Sequence, residues 1–252
     1  SGTEVATLTG LGDSSAPTAI DFGDDGATIT LTEFNALTTA SVALTAGDTI
    51  TLSAADGDDL SGLTLTNVDG VSAANGVDVV LSIAQHTTPG VSGAGTYSIT
   101  DTLSNVLTEA SGGSSILNGA SQINVTFGSG TEVATLTGLG DSSAPTAIDF
   151  GDDAATITTA ELDALNTASV ALTAGDTVTV VASNSDDFTS KTTTNVDSIT
   201  VATGVAITVN AAQSSLVNTS GGGTYAVTDT LSNVLTEASG GSAGLNGASQ
   251  IN

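Results

Sequence analysis

The stretch SGTEVATLTGLGDSSAPTAIDFGDD fills residues 1–25 and returns letter for letter at 129–153. In a unique core every position meets its own neighbours, so a verbatim copy belongs to a structure that repeats. Residues 1–124 align on 129–252 at an offset of 128 without a gap, with 85 identities and 39 differences. The differences gather in 50–91, while 1–25, 100–114 and 117–124 are unchanged. Fixed ends around a drifting middle suit stacked units, since each end must fit the next. Recent duplication with chance drift leaves the same pattern. Two units are expected, 1–128 and 129–252, with VTFG at 125–128 as a junction strand or linker.

Charge restricts what such a chain can do. There are 27 acidic residues against one lysine, no arginine and one histidine, a formal charge of −26. Without a basic footprint to displace counterions from phosphate, nucleic acid is excluded as a partner, and so is an anionic membrane surface. Repulsion on this scale opposes compaction unless salt screens it or cations bind. Cys, Met and Trp are absent and aromatics are 3%. The core must therefore pack small and branched aliphatic side chains in regular layers, and it holds no sulfur to oxidise. Lys191 is the one basic site for a trypsin-like protease. Both features point outside the cell, to an extracellular or cell-surface location. No signal peptide opens the sequence, and no apolar run approaches the roughly 20 residues of a membrane span. The chain thus reads as a mature or excised segment without membrane insertion.

Short runs rich in Val, Ile and Thr recur: EVATLT (4–9), ATITL (27–31), DTITLSA (48–54), LTLT (63–66), VDVVLSIA (77–84), TYSIT (96–100) and INVTF (123–127). Their alternation predicts strands, punctuated by Gly, Asp, Ser and Asn. LTEFNALTTA (31–40) and DTLSNVLTEAS (101–111) instead space apolar residues as a helix does, with Asp101 or Thr102 as N-cap of the second. The expected fold class is mainly β with short helices, a β-solenoid-like tandem repeat. Tandem β-sandwich domains are the alternative.

The segment TYSITDTLSNVLTEASGGSSILNGASQINVT (96–126) and its counterpart at 224–252 resemble the strand–helix–strand repeats of large acidic surface and extracellular proteins of bacteria, cyanobacterial surface proteins and adhesins among them. That resemblance covers about a quarter of each unit closely. It implies a β-rich repeat array, export, and an adhesive or scaffolding role with no catalytic residues. The nonapeptide array of calcium-binding repeat toxins is missing, so calcium cannot be inferred from that family.

The residues themselves suggest calcium at acidic turns. DFGDD places Asp21, Asp24 and Asp25 in one Gly-containing turn, and ADGDDLSG offers Asp56, Asp58 and Asp59. The second copy has Asp149, Asp152 and Asp153, then Asn184, Asp186 and Asp187. A wrapping turn with several carboxylates supplies the oxygen ligands that calcium prefers, although neither loop follows the helix–loop–helix calcium pattern. Solvated surface turns are the plain alternative.

Catalysis finds little footing. His86 is the sole histidine and becomes Ser214 in the second copy, which rules out a repeated Ser–His–Asp site. DFG at 21–23 lacks the phosphate loop and catalytic loop of a kinase. Paired carboxylates lack an aromatic sugar platform, with no Trp and two Tyr. Alternating threonines in ATLT, ATIT and TITV would line one strand face, a pattern compatible with ice binding and more simply with solvent-facing strands. The expected function is a structural repeat of a secreted bacterial surface protein, filament or sheath, braced by cations and self-associating through its ends. The rival is a glycan- or ice-binding adhesin module whose variable middle, 50–91 and 178–219, is the binding face.

Overall fold

GATIT at 26–30 buries Ala27 and Ile29 and exposes Gly26, Thr28 and Thr30, the period of a strand with one face in the core. In the computed structural model, which describes residues 7–9, 17–23, 26–111, 114–127, 130–137, 145–151, 154–219 and 222–252, this strand runs parallel to Thr49–Ala54. Thr49–Ala54 in turn pairs in parallel with Gly70–Ala73, and that strand with Val91–Gly93. The second copy repeats the ladder from Ala154–Thr158 through Thr177–Val181 and Ser198–Thr200 to Val217–Asn218. A separate parallel pairing joins Asp78–Leu81 to Thr96–Thr102, and its counterpart joins Ala206–Val209, Thr224–Val227 and Gln250–Ile251. Antiparallel pairing joins Thr7–Thr9 to Ala19–Asp21 and, in the same register, Gly130–Thr137 to Ala147–Asp149.

Parallel neighbours need a crossover, and here several crossovers are helical. Thr30 ends a strand and caps the Leu31–Thr39 helix, closing a capping box with Glu33. Thr158 and Glu161 do the same for Thr159–Ala168. Thr102 and Thr230 cap Leu103–Ala110 and Leu231–Ser239.

This architecture corrects the expected fold class. Among the described residues the protein is mixed α/β, with 28% helix and 35% strand in several small parallel or mixed sheets, and it is neither a β-solenoid of repeats nor a pair of sandwiches. Alternation marks most of the strands, but LTLT at 63–66 forms none, and VDVVLSIA is a strand only over Asp78–Leu81 before turning helical at Ile83–Gln85. Alternation carries no information on which strands pair.

Two compact units result, one from Ser1–Asp101 with Gly119–Ile123, the other from Thr102–Asn118 with Asn124–Asn252. Ile50, Leu52, Leu60, Val71, Leu81 and Ile99 are fully buried in the first. The second buries Phe150, Ile157, Val178, Val180, Phe188 and Val106, and Phe127 meets Phe150 edge to face at 5.5 Å.

Some differences between the copies are matched in pairs. Asn35 and Leu63 of the first copy become Asp163 and Lys191, which form an ion pair of 2.5 Å. His86 and Ile116 become Ser214 and Gly244. Ser214 is then buried so close to Gly244 that a Cβ there would lie 2.4 Å from the Ser214 carbonyl carbon. Because Asp163 is half exposed, Lys191→Ala should cost under about 1 kcal/mol of ion pairing. The double change Asp163→Asn with Lys191→Leu, which restores the first copy's pair, should be nearly neutral in thermal melts.

Candidate functional site

Carboxylates and amides brace the turns of this acidic chain from within. Asp48 is buried and its Oδ2 accepts from the Phe22 amide and the Thr45 hydroxyl, each at 3.0 Å. Asp176 receives Phe150 and Thr173 in the same way. The Ile50 and Val178 amides donate to Asp69 and Asp197, both at 2.7 Å. Ile83 and Ala211 donate to Asp101 and Asp229, both at 3.1 Å. Asn67 and Asn195, both in the left-handed region, donate through Nδ2 to the Leu44 and Leu172 carbonyls. Gln85 and Gln213 each bridge two carbonyls, Leu60 and Leu63 in one copy, Phe188 and Lys191 in the other. Apart from the Thr45 and Thr173 hydroxyls, three residues from their aspartates, these contacts reach 18 to 26 residues along the chain and recur at the same offset. Sequence reading missed them because no local motif marks a residue whose partner arrives from the neighbouring strand.

The metal candidates take similar roles, some within their own turns and some toward distant strands. Asp21 and Asp149 accept from Gly23 and Gly151, each at 2.7 Å. Asp56 and Asn184 accept from the amides of Asp78 and Ala206. Asp58 accepts from Ala55, and Asp186 from Ser183 and the Thr159 hydroxyl. Asp59 and Asp187 take both the amide and the hydroxyl of Ser61 and Thr189. Asp24, Asp25, Asp152 and Asp153 lie outside the described residues. Among the described residues no three acidic or histidine side chains group as a metal site.

Asp78 is a hub peculiar to the first copy. It accepts from the hydroxyls of Thr96, Ser98 and Ser121 at 2.6, 2.7 and 2.8 Å. The second copy has Ala206 and Ala226 at the positions of Asp78 and Ser98. Burial pushes the Asp78 carboxyl up, but the three hydroxyl donors together draw it below its ordinary value. Amide and hydroxyl donation by Thr189 lowers Asp187, and Ala211, Asn233 and Thr230 lower Asp229. The Thr30 amide, then its hydroxyl, lowers Glu33.

These depressed carboxyls contribute stability that is present above their unfolded values and lost as pH falls through their folded ones. Self-repulsion has the opposite dependence, fading as carboxylates protonate. At low salt the melting temperature should rise from pH 7 to about pH 5 and fall steeply below about pH 3.5. At high salt the first branch should flatten, because screening removes the repulsion that acid would relieve. Calorimetry across pH at two salt concentrations checks both branches.

Two further features bear on ligands. A cavity of about 270 Å³ beside the Thr159–Ala168 helix is lined by Leu162, Leu165, Val170, Leu172 and Thr192, with Asn166, whose buried Nδ2 has no hydrogen-bond partner among the described residues. Threonines meet in register as Thr28 with Thr51, and as Thr156 with Thr179 and Ser198. These ladders are two or three hydroxyls wide. No described helix is long and apolar enough to cross a membrane. The chain matches no family model, no curated protein and no solved structure.

Proposed function

We propose that the chain is a non-catalytic structural repeat of a bacterial extracellular or cell-surface protein, a rigid polyanionic module that sets length in a filament, sheath or adhesin stalk. The observation that carries this reading is the recurrence, at an offset of 128 residues, of the same side-chain braces on the backbone. Acids spent on bracing turns support a mechanical role, and the paired Asp163–Lys191 change supports drift under the demand of folding. Calcium enters the reading as a counter-ion at the turns of 21–25 and 149–153 and at the loops around Asp58 and Asp186. Cation binding there would relieve the repulsion of a −26 chain.

Two measurements test it. Calcium at millimolar level should raise the melting temperature above that in sodium chloride of equal ionic strength, and chelation should reverse the rise. Equal melting in the two salts would remove calcium from the reading. A glycan array and an ice-recrystallisation assay should both be blank. Binding that maps by substitution to 50–91 or 178–219 would replace the structural reading with the adhesin-module one.

A further inference from the structure

The cavity beside the Thr159–Ala168 helix is a place where the two copies of the unit differ in kind. Nine residues line it, all within the unbroken described stretch 154–219. Seven of them are the same residue in the first copy. The other two are Leu162, where the first copy has Phe34, and Asn166, where it has Thr38. In the first copy the Phe34 ring is buried, and the Thr38 hydroxyl is satisfied by donating to the Phe34 carbonyl at 3.1 Å. In the second, the shorter Leu162 borders about 270 Å³ of open space, and the buried Asn166 Nδ2 has no hydrogen-bond partner among the described residues.

The wall and the charge define what fits. Leu162, Leu165, Val170 and Leu172 are buried and aliphatic, so they offer nothing to water, which needs about two to four polar partners. An unsatisfied buried N–H is costly, and an acceptor brought to it recovers that cost. None of the nine lining residues is charged, and a chain of charge −26 repels anions. Ser169 and Thr192 are exposed, which marks the side on which the cavity opens. An apolar cavity of roughly 150 Å³ accommodates benzene, so this one has room for a body of about ten heavy atoms.

We propose that the second unit binds a small neutral carbonyl compound, an aliphatic or alicyclic ketone, ester or lactone. Its apolar body lies against Leu162, Leu165, Val170 and Leu172, and its carbonyl oxygen accepts from Asn166 Nδ2. The first unit, with Phe34 and Thr38 in place, does not bind it. The two copies then have different tasks, one a spacer and the other also a receptor for a small molecule, which goes beyond the structural reading.

Titration with three neutral ketones, cyclohexanone, menthone and camphor, followed by heteronuclear NMR of the whole labelled chain, tests it. Dissociation constants on the order of 1 mM are expected for ligands of this size. The Asn166 side-chain amide and the Val170 and Leu172 backbone amides should shift saturably, while the amides of Val42 and Leu44, their first-copy counterparts, stay still. Asn166→Thr installs the first copy's residue and removes the free donor. It should weaken ketone binding about fivefold and leave the binding of cyclohexane, which has no acceptor, unchanged. Leu162→Phe with Asn166→Thr rebuilds the first copy's pair and should abolish binding of both. Each variant carries only residues that the first copy already holds at these places, so both should fold. Absence of saturable shifts with all three ketones, shifts of equal size in the two copies, or unchanged ketone affinity in Asn166→Thr would overturn the proposal. Positions 162 and 166 lie outside 178–219, so the glycan and ice assays test the structural reading separately.

Discussion

Leu103→Asp should destabilise the second compact unit by about 4 kcal/mol or more, whereas Leu231→Asp, the same change in the same nine-residue sequence, should shift it by less than about 0.5 kcal/mol at concentrations where the chain is monomeric. Leu103 is 1% exposed and Leu231 is 73% exposed. Losing a fully buried leucine forfeits about 1.5–3 kcal/mol of transfer free energy, and an unpaired carboxylate left in its place adds several more. At the exposed position the aspartate stays in water and only weak repulsion from its acidic neighbours remains. In a melt, Leu103→Asp should lower the transition by roughly 10 °C or more, taking 2–4 °C per kcal/mol for a chain of this size. Equal effects at the two positions would mean that the covered and open environments of this helix are not real.

Gln213→Glu should be the second most damaging change, although it alters no volume. Gln213 is 4% exposed, its Nε2 donates to the Phe188 and Lys191 carbonyls at 2.8 and 3.0 Å, and its Oε1 accepts from the Asn210 amide. A carboxylate there would face two carbonyl oxygens with no proton to offer, costing about 3 kcal/mol or more. Burial and the carbonyls would raise the new glutamate's folded pKa above its unfolded value. The sign then follows: the penalty is fullest above the folded pKa and shrinks as pH falls through it. Melting of this variant relative to wild type should therefore improve between pH 7 and about pH 5. Gln85→Glu should behave likewise in the first unit, where Gln85 donates to Leu60 and Leu63. Wild-type melting in either variant would show that the amide bridge does not hold its loop.

The helices at 31–40 and 101–111 were legible because their signals are local: apolar residues at helical spacing in both, and an N-cap candidate, Asp101 or Thr102, in the second. Strand existence was legible for the same reason, from alternation in runs such as ATIT and TYSIT. Pairing was not, since Gly26 meets Thr49 and Asp78 meets Thr96 only after the intervening chain has folded into a crossover. The acids illustrate the same limit at the candidate site. Asp58 and Asp59 were recognisable as turn residues, but Asp48, Asp69 and Asp101 look no different in sequence. Their bracing role exists only because a neighbouring strand brings an amide to them.

By itself, the sequence determined that the protein is built from a unit used twice, that its surface is strongly anionic, and which segments start as helix or strand. Those properties follow from identity, composition and short-range capping, none of which requires knowing a distant neighbour. The tertiary structure alone decided that the strands pair mainly in parallel in several small sheets, that buried carboxylates and amides brace the turns, and that one LSNVLTEAS helix is covered while its twin is open. Each of these depends on which residues far apart in the chain meet, and a local sequence cannot encode its own surroundings when the same nine letters occupy two of them.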